Sequence, residues 1–577
     1  MRRPRDRSHV GRDPDARRDR EVRHERDLHD RIRRDVRSSV MKQTIDCLVV
    51  GHHQMRFPTF VDSIRQLGED SGAYRDICTS FYQHDGEAVS CADYFNQHHR
   101  RPDESEFTYD NIFSATIAYL CTFLNRRGLT SDYINAYREG RAALIQKLQT
   151  YRVRTVAVTT TYYVVALPIT DIIETVRRYS PETKIIMGGP FVTTQHKIHD
   201  RESFQFTLEQ IGADYYIVSS QGEQALVNVI RAIISGKSGA GIANCLYRNG
   251  AGFVANTLET ESSELGKNMV DWSLFRADVG DQGRKMVMVR TAISCPFACS
   301  FCSFPVHAGA YKYLDPGQVK SELDEIERLG DVRSVTFIDD TFNVPIGRFR
   351  EMLQMLEERR YKFKWNCNLR LQHCDEEIIA QMRKAGCEGV FLGIESGSDT
   401  ILSNMNKKSR VEAYRRGIQQ LRQHGIMSYA SFIVGFPGET ESTIRETIDL
   451  IETAQPDFFR AQLWYYDTTT PIHQQAAKYK LTNSQFEWSH STMTSREAVW
   501  WIDHLHRRIE GSVWLPQNDF DFPSLFNLLS RGWSVDGIKA MLRSFNDKVR
   551  RALSSPAAPA HALDLDSQLL LSAALKF

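Results

Sequence analysis

Residues 285–302 read KMVMVRTAISCPFACSFC, an apolar run of strand length that leads into three cysteines at C-x3-C-x2-C spacing. The short apolar run reads as a buried strand, and it delivers Cys295, Cys299 and Cys302 to one loop at its carboxyl end. Three thiolates are one fewer than the four that a structural zinc or a four-iron cluster takes. A metal group held here therefore keeps one corner free for another ligand. A zinc knuckle would need a fourth Cys or His at short spacing, and His307 is the only local candidate. Buried structural cysteines are the other plain reading.

Downstream of this loop the strand candidates SVTFIDD, KWNCNLRL, GVFLGIES, SYASFIVGF and FRAQLWYY alternate with amphipathic stretches. With the strand before the cysteines they make six strand–helix units, the pattern of an incomplete parallel barrel whose site lies at the strand carboxyl ends. The polar residues at those ends are Asp339 and Asp340, Arg370, and Glu395 with Ser396. An acid after a strand also serves to cap the next helix, so a structural role stands beside the functional one. Cys367, Cys374 and Cys387 lie within or near strand patterns, where cysteine is usually a small buried apolar residue.

Upstream, from Met41, the chain again alternates strand and helix: IDCLVV, SDYINAY, TVAVTTT, KIIMGG and DYYIVSS are the strands. This predicts a Rossmann-like parallel sheet with helices on both faces, and ligands of such sheets sit beyond the strand carboxyl ends. Those ends carry Thr159, Thr160 and Thr161, then Gly188, Gly189 and Pro190, then Ser219, Ser220, Gly222 and Glu223, which together form a shallow polar trough.

The cysteine spacing, with aromatic Phe301 before the third cysteine, resembles that of the radical S-adenosylmethionine (SAM) enzymes. A wound domain directly before that motif looks like the cobalamin-binding domain of their cobalamin-dependent (class B) members. FIDDTFNVP, GVFLGIESGSD, IVGFPGET, LWYYDTTTPI and EWSHSTM, with DCLVVGHHQM at the start, are similar to the methyltransferases that include the P-methyltransferases of phosphinothricin-type biosynthesis. The resemblance implies a [4Fe-4S] cluster on Cys295, Cys299 and Cys302. It implies SAM beside Phe301, Asp340, Arg370, Glu395, Ser396 and Gly435, and cobalamin over the trough. The activity implied is methyl transfer from cobalamin to an unactivated phosphorus or carbon centre of a small or carrier- or peptide-linked substrate, with an external flavodoxin- or ferredoxin-type electron donor. The loop after the first strand departs from other cobalamin proteins: Gly51-His52-His53-Gln54-Met55 lacks their Asp-x-His-x-x-Gly arrangement, which leaves a histidine ligand to cobalt open. A cobalamin-using radical enzyme that rearranges or cyclises without methylating, and a non-catalytic cobalamin or iron–sulfur sensor, are the alternatives.

The chain has 577 residues, with Lys+Arg 73 against Asp+Glu 72, a balance that argues against nucleic acid as partner. No apolar run reaches the roughly 20 residues of a membrane helix. An oxygen-sensitive cluster, and cysteines without a disulfide rhythm, suit a reducing, cytoplasmic setting. Residues 1–40 hold fourteen Arg and nine acids with few large apolar residues, so a disordered arm is expected, and Met41 reads as the natural start. The remaining boundaries expected are a cobalamin-binding domain over 41–260, the radical SAM barrel over 261–475, and a small, mostly helical capping region over 476–577. In that last region Trp488, His490, Trp500, Trp501 and Trp514 are expected to cover the barrel opening, with His490 and Asp519 as candidate substrate contacts.

Overall fold

The computed structural model describes residues 42–554 apart from 162, 164, 165, 251, 262, 263, 282, 283 and 517. The arm of residues 1–40 and Met41 lie outside the described residues. In the first half, β1 (Thr44–His52), β2 (Ser131–Ala136), β3 (Arg152–Thr159), β4 (Lys184–Gly188) and β5 (Tyr215–Ile217) form a parallel sheet in the order β2-β1-β3-β4-β5. Leu48, Val49 and Val50 in the middle of β1 are fully buried, as a strand covered by helices on both faces must be. Among the helices between the strands are α1 (Ala115–Asn125), α2 (Pro190–Ile198) and α3 (Glu223–Ile234). The strand order reverses between β1 and β3, which is where such a sheet opens a crevice beyond its carboxyl ends.

Two antiparallel strands, β6 (Cys245–Asn249) and β7 (Gly252–Ala255), extend this sheet beyond β5. The sequence reading stops at five strands. The hairpin signal was nonetheless present, because Asn249-Gly250 is a turn dipeptide between short strand-like stretches, and Gly250 takes a φ of +64°.

The second half is a parallel sheet with its strands in chain order: β8 (Met286–Val289), β9 (Ser334–Phe337), β10 (Lys364–Leu369), β11 (Cys387–Glu395), β12 (Met427–Val434), β13 (Phe458–Leu463) and a short β14 (Val513–Trp514). The six expected strands are all present, and the seventh comes from the C-terminal region. Helix α4 (Pro316–Leu329) follows the cysteine loop, and Asp315 and Gln318 close its capping box.

The amino ends of these strands are plugged by segments from both ends of the chain. Helix α5 (Phe522–Ser530) packs Phe522 and Phe526 into a cluster with Met286, Met427, Tyr429, Phe458 and Phe545. Residues 57–111, which leave the first sheet after β1, join the same cluster through Tyr82, Phe95 and Phe107. They are tied to the second half of the chain by Gly72 N donating to Glu487 Oε1 (2.7 Å), Leu463 N donating to Asp76 Oδ1 (3.0 Å) and the Tyr94–Ser544 hydroxyl pair (2.7 Å). Within the span 41–260, residues 57–111 thus pack with the C-terminal region and the barrel foot.

The expected aromatic cover also differs. Trp488 and Trp514 are 1% exposed and packed in the core, Trp501 is buried and Trp500 lies on the surface. Their spacing is that of a helix face or a core, and the opposite, amino end of the barrel is plugged by Phe520, Phe522 and Phe526. Phe526 is fully buried. Phe526→Ala should therefore cost about 3–5 kcal/mol, read as a lowered unfolding midpoint. A midpoint equal to the parent's would show that the plug does not hold the barrel foot.

Candidate functional site

One cavity of about 910 Å³ lies where the carboxyl ends of the two sheets meet. From the first half it takes Thr159, Thr160, Thr161, Gly188, Gly189, Pro190, Ser219, Ser220, Gly222 and Glu223, so every trough residue read from sequence lines it. Apolar Val158, Ile186, Ile217 and Leu226 lie among them. Not all of the polar groups are available to a ligand. Thr160 donates through its hydroxyl to Gly188 O (2.8 Å), and Ser219 donates to Gln221 O (3.0 Å). Gly189 adopts a φ of +113°, and a Cβ there would sit 2.8 Å from Thr160 Oγ1. Its need for glycine is therefore set by the strand-end turn itself.

His52 and His53 do not line the cavity. His53 Nε2 lies 3.1 Å from Asp171 Oδ2, its backbone N–H donates to the Tyr163 hydroxyl, and its ring packs on Tyr137. Burial, and then the neighbouring His53, push His52 down to about 4.

The barrel contributes Arg290, Ser294, Asp340 and Asn368 to the opposite wall. The two acids after β9 have separate positions. Asp339 is buried and takes hydrogen bonds from Thr291 N (2.6 Å) and Ala292 N (2.9 Å), so it fixes the turn out of β8. Asp340 faces the cavity. Arg290 lies over the Tyr119 ring at 4.3 Å. Its charge offsets part of the burial that raises Glu223, and does the same at Glu322, which burial pushes up to about 7. Glu322 also accepts from Trp272 Nε1 at 3.0 Å. Lys197 Nζ and His307 Nδ1 approach to 2.7 Å and join the two halves at the cavity wall.

The three cysteines stand beside this cavity within a second group of side chains. Arg370 Nη1 lies 3.9 Å from Cys299 Sγ, and its guanidinium covers the Phe297 ring at 3.7 Å. Arg370 also donates to Lys407 O. Lys407 Nζ pairs with Glu395 Oε1 at 2.8 Å, with both side chains buried, and lies 5.6 Å from the Phe301 ring. Phe301 meets Phe436 edge-on. Arg370, Glu395 and Phe301 thus converge near the cysteines, joined by Lys407, which sequence reasoning missed because a lysine in NMNKKS has no motif to mark it.

Ser396 is buried and accepts from Ser398 N at 3.1 Å. Gly435 has a φ of +94° and donates to the Glu439 carboxylate, which burial pushes up to about 8. His490 braces this loop, with Nε2 3.0 Å from Gly435 O and its ring stacked on Trp488. Neither His490 nor Asp519 lines the cavity. Burial moves the Cys302 thiol up to about 11, with Cys299 and Cys295 as further causes. Cys299 is buried and Cys295 and Cys302 are partly buried; three neighbouring thiols ionise together only when a metal cation compensates them, so this donor set suits a metal cluster. The trough, with its apolar floor and polar rim, suits a large amphiphilic ring.

Burial, and then adjacent Asp339, push the Asp340 carboxyl from 3.8 up to about 7. A carboxyl raised in the folded protein keeps its proton there after the unfolded chain has lost it. Stability therefore falls as pH rises from about 4 to about 7. Asp340→Asn should melt higher than the parent at about pH 8, with the difference closing at about pH 4. A difference of equal size at both would show that Asp340 is ionised throughout.

The model of the Radical SAM superfamily matches residues 290–451. An anaerobic magnesium-protoporphyrin IX monomethyl ester cyclase of Cereibacter sphaeroides is 28% identical over 382 residues, covering 63% of this chain and 60% of the relative. An uncharacterized methyltransferase of Pyrococcus horikoshii is 24% identical over 282 residues, covering 48% and 59%. The chain thus spans about three fifths of the length of these curated relatives. Among solved structures, the radical SAM methyltransferase TsrM from Kitasatospora setae, with cobalamin and a [4Fe-4S] cluster bound, superposes with a TM-score of 0.58 at 18% identity, covering 77% of this chain and 98% of TsrM. The cobalamin-dependent SAM radical enzyme OxsB, with aqua-cobalamin bound, gives 0.54 at 13%, covering 92% and 75%. The cysteine loop and most of the parallel barrel fall within the residues that match the Radical SAM superfamily model, and the chain shares its fold with TsrM and OxsB.

Proposed function

We propose that this protein is a cobalamin-dependent radical SAM methyltransferase that transfers a methyl group to an unactivated phosphorus or carbon centre in natural-product biosynthesis. The observation that carries this reading is the shared cavity, in which a trough at the ends of one parallel sheet faces the ends of a second sheet that bears a three-cysteine loop. Cys295, Cys299 and Cys302 would hold a [4Fe-4S] cluster. Phe301, Arg370, Glu395, Ser396 and Gly435, with Lys407, would surround SAM, and the trough would take cobalamin. When bound, the cluster and SAM supply a radical able to take a hydrogen atom, and cobalamin supplies the methyl group.

The work left to the chain is positioning and exclusion of water. The Lys407–Glu395 pair is buried and internally neutral, so it fixes the loop beside the cysteines without adding net charge. Phe522 closes the cavity from below, stacked 5.8 Å from Tyr429 and edge-on to Phe391. A flavodoxin- or ferredoxin-type protein is the electron donor expected of such chemistry.

The relatives named as cyclases support a second reading, a cobalamin-using radical SAM enzyme that does not methylate. Product analysis separates the two. With methyl-deuterated SAM and the true substrate, methyl transfer should label the product and yield S-adenosylhomocysteine and 5′-deoxyadenosine in equal amounts. Formation of 5′-deoxyadenosine without S-adenosylhomocysteine would favour the cyclase-like reading. Replacing Cys295, Cys299 and Cys302 together by Ala should abolish the broad visible absorbance of the anaerobically reconstituted protein and all SAM cleavage. About four irons retained per chain in that variant would place the cluster elsewhere.

A further inference from the structure

The cavity does not end at the cysteine loop. It continues into the barrel interior past Thr336 and Asn368 to Tyr429 and Arg460, and it stops at Asp521 and Phe522. Along this extension the Tyr429 hydroxyl and Arg460 hydrogen-bond each other, and two further polar atoms lack partners. The Thr336 hydroxyl, on a residue 4% exposed, has no hydrogen-bond partner, and neither has the buried Nε of Arg460. A buried polar atom is seldom left unsatisfied, and the two residues that carry these atoms line one space.

Arg460 stands in the inward layer of β13, paired in register with Ser431. The carboxylates close enough to feel its charge are Asp76 and Asp521. Both are committed to the fold: Asp76 accepts from Leu463 N at 3.0 Å, and Asp521 caps α5 by accepting from Ser524 N (3.2 Å) and Ser524 Oγ (2.8 Å). Burial also pushes both of these carboxyls up, which weakens their hold on a neighbouring cation.

We propose that this extension is the substrate pocket and that Arg460, with the Tyr429 and Thr336 hydroxyls, binds a small singly charged oxyanion of the substrate, a carboxylate or a phosphinate. A planar guanidinium matches either oxyanion with paired hydrogen bonds. Anchoring the anion at the barrel floor directs the rest of the substrate up toward the wall formed by Asp340 and the cysteine loop. The proposal rests on reading the cavity as a substrate-binding active site, and its test has a readout independent of turnover.

The test is equilibrium binding to the anaerobically reconstituted, cobalamin-supplemented protein, with ethylphosphinate, propionate, neutral propionamide and ethylammonium as probes. The parent should bind one or both anions at least about tenfold more tightly than propionamide. Arg460→Gln should lose that preference and Arg460→Lys should retain part of it, with cluster absorbance and SAM binding unchanged in both. The stronger of the two anions identifies the oxyanion. Equal anion binding by parent and Arg460→Gln, or a preference for ethylammonium, would overturn the assignment. If Arg460→Gln does not fold, Arg460→Lys decides, and undiminished anion binding there together with no preference over propionamide in the parent would also overturn it. A parent that takes up no cobalamin yet binds anions through Arg460 would sink the functional reading and leave the anion site standing.

Discussion

The carboxylate of Asp339, 2% exposed, accepts from the backbone N–H groups of Thr291 and Ala292 and from the Thr291 hydroxyl, and so ties the end of β9 to the residues that lead into the cysteine loop. Arg348 completes the arrangement by donating to Thr291 Oγ1 (2.6 Å) and Leu314 O (2.8 Å). A buried carboxylate is tolerable only when its oxygens are filled in this way. With that group in place the loop leaves β8 in a fixed direction. Cys295, Cys299 and Cys302 then stand beside Arg370 and Phe301, and the neighbouring Asp340 is free to face the cavity.

Parallel strands set the rest of the geometry. Every parallel strand of a sheet ends on the same side, so two such sheets whose ends face each other bring their loops to one space. Small and hydroxylated residues line one wall, and charged residues of the barrel line the other. Several of the barrel's polar atoms on this space, Ser294 Oγ, Thr336 Oγ1, Arg290 Nη2 and Arg460 Nε, have no hydrogen-bond partner. A folded core satisfies such atoms almost without exception.

The barrel foot has the opposite character. Phe520, Phe522, Leu525, Phe526 and Leu528 are packed with Met286, Met427 and Phe458 in one apolar cluster, and this cluster is joined by residues from the long insertion after β1. Hydrophobic burial of this kind is undirected but strong. It closes the amino end of the barrel and leaves the end facing the first sheet open to the cavity.

The parallel strands of both sheets, the short β14 apart, were legible in the sequence, because buried parallel strands are continuous apolar runs. So was the cysteine loop, since its meaning lies in local spacing. The trough residues were legible too, being the first polar or glycine residues after each strand. Lys407, Arg460, Thr336 and the sharing of roles between Asp339 and Asp340 were not, because each depends on side chains brought together from distant elements. The same holds for residues 57–111, whose partners Glu487, Leu463 and Ser544 lie about 400 residues further along the chain. Sequence by itself determined which residues become strands and which loop presents three thiols, through periodicity and spacing along the backbone. Only the tertiary structure decided which polar groups are paired and which are left facing a cavity, because that depends on distance and burial between segments that the linear order does not encode.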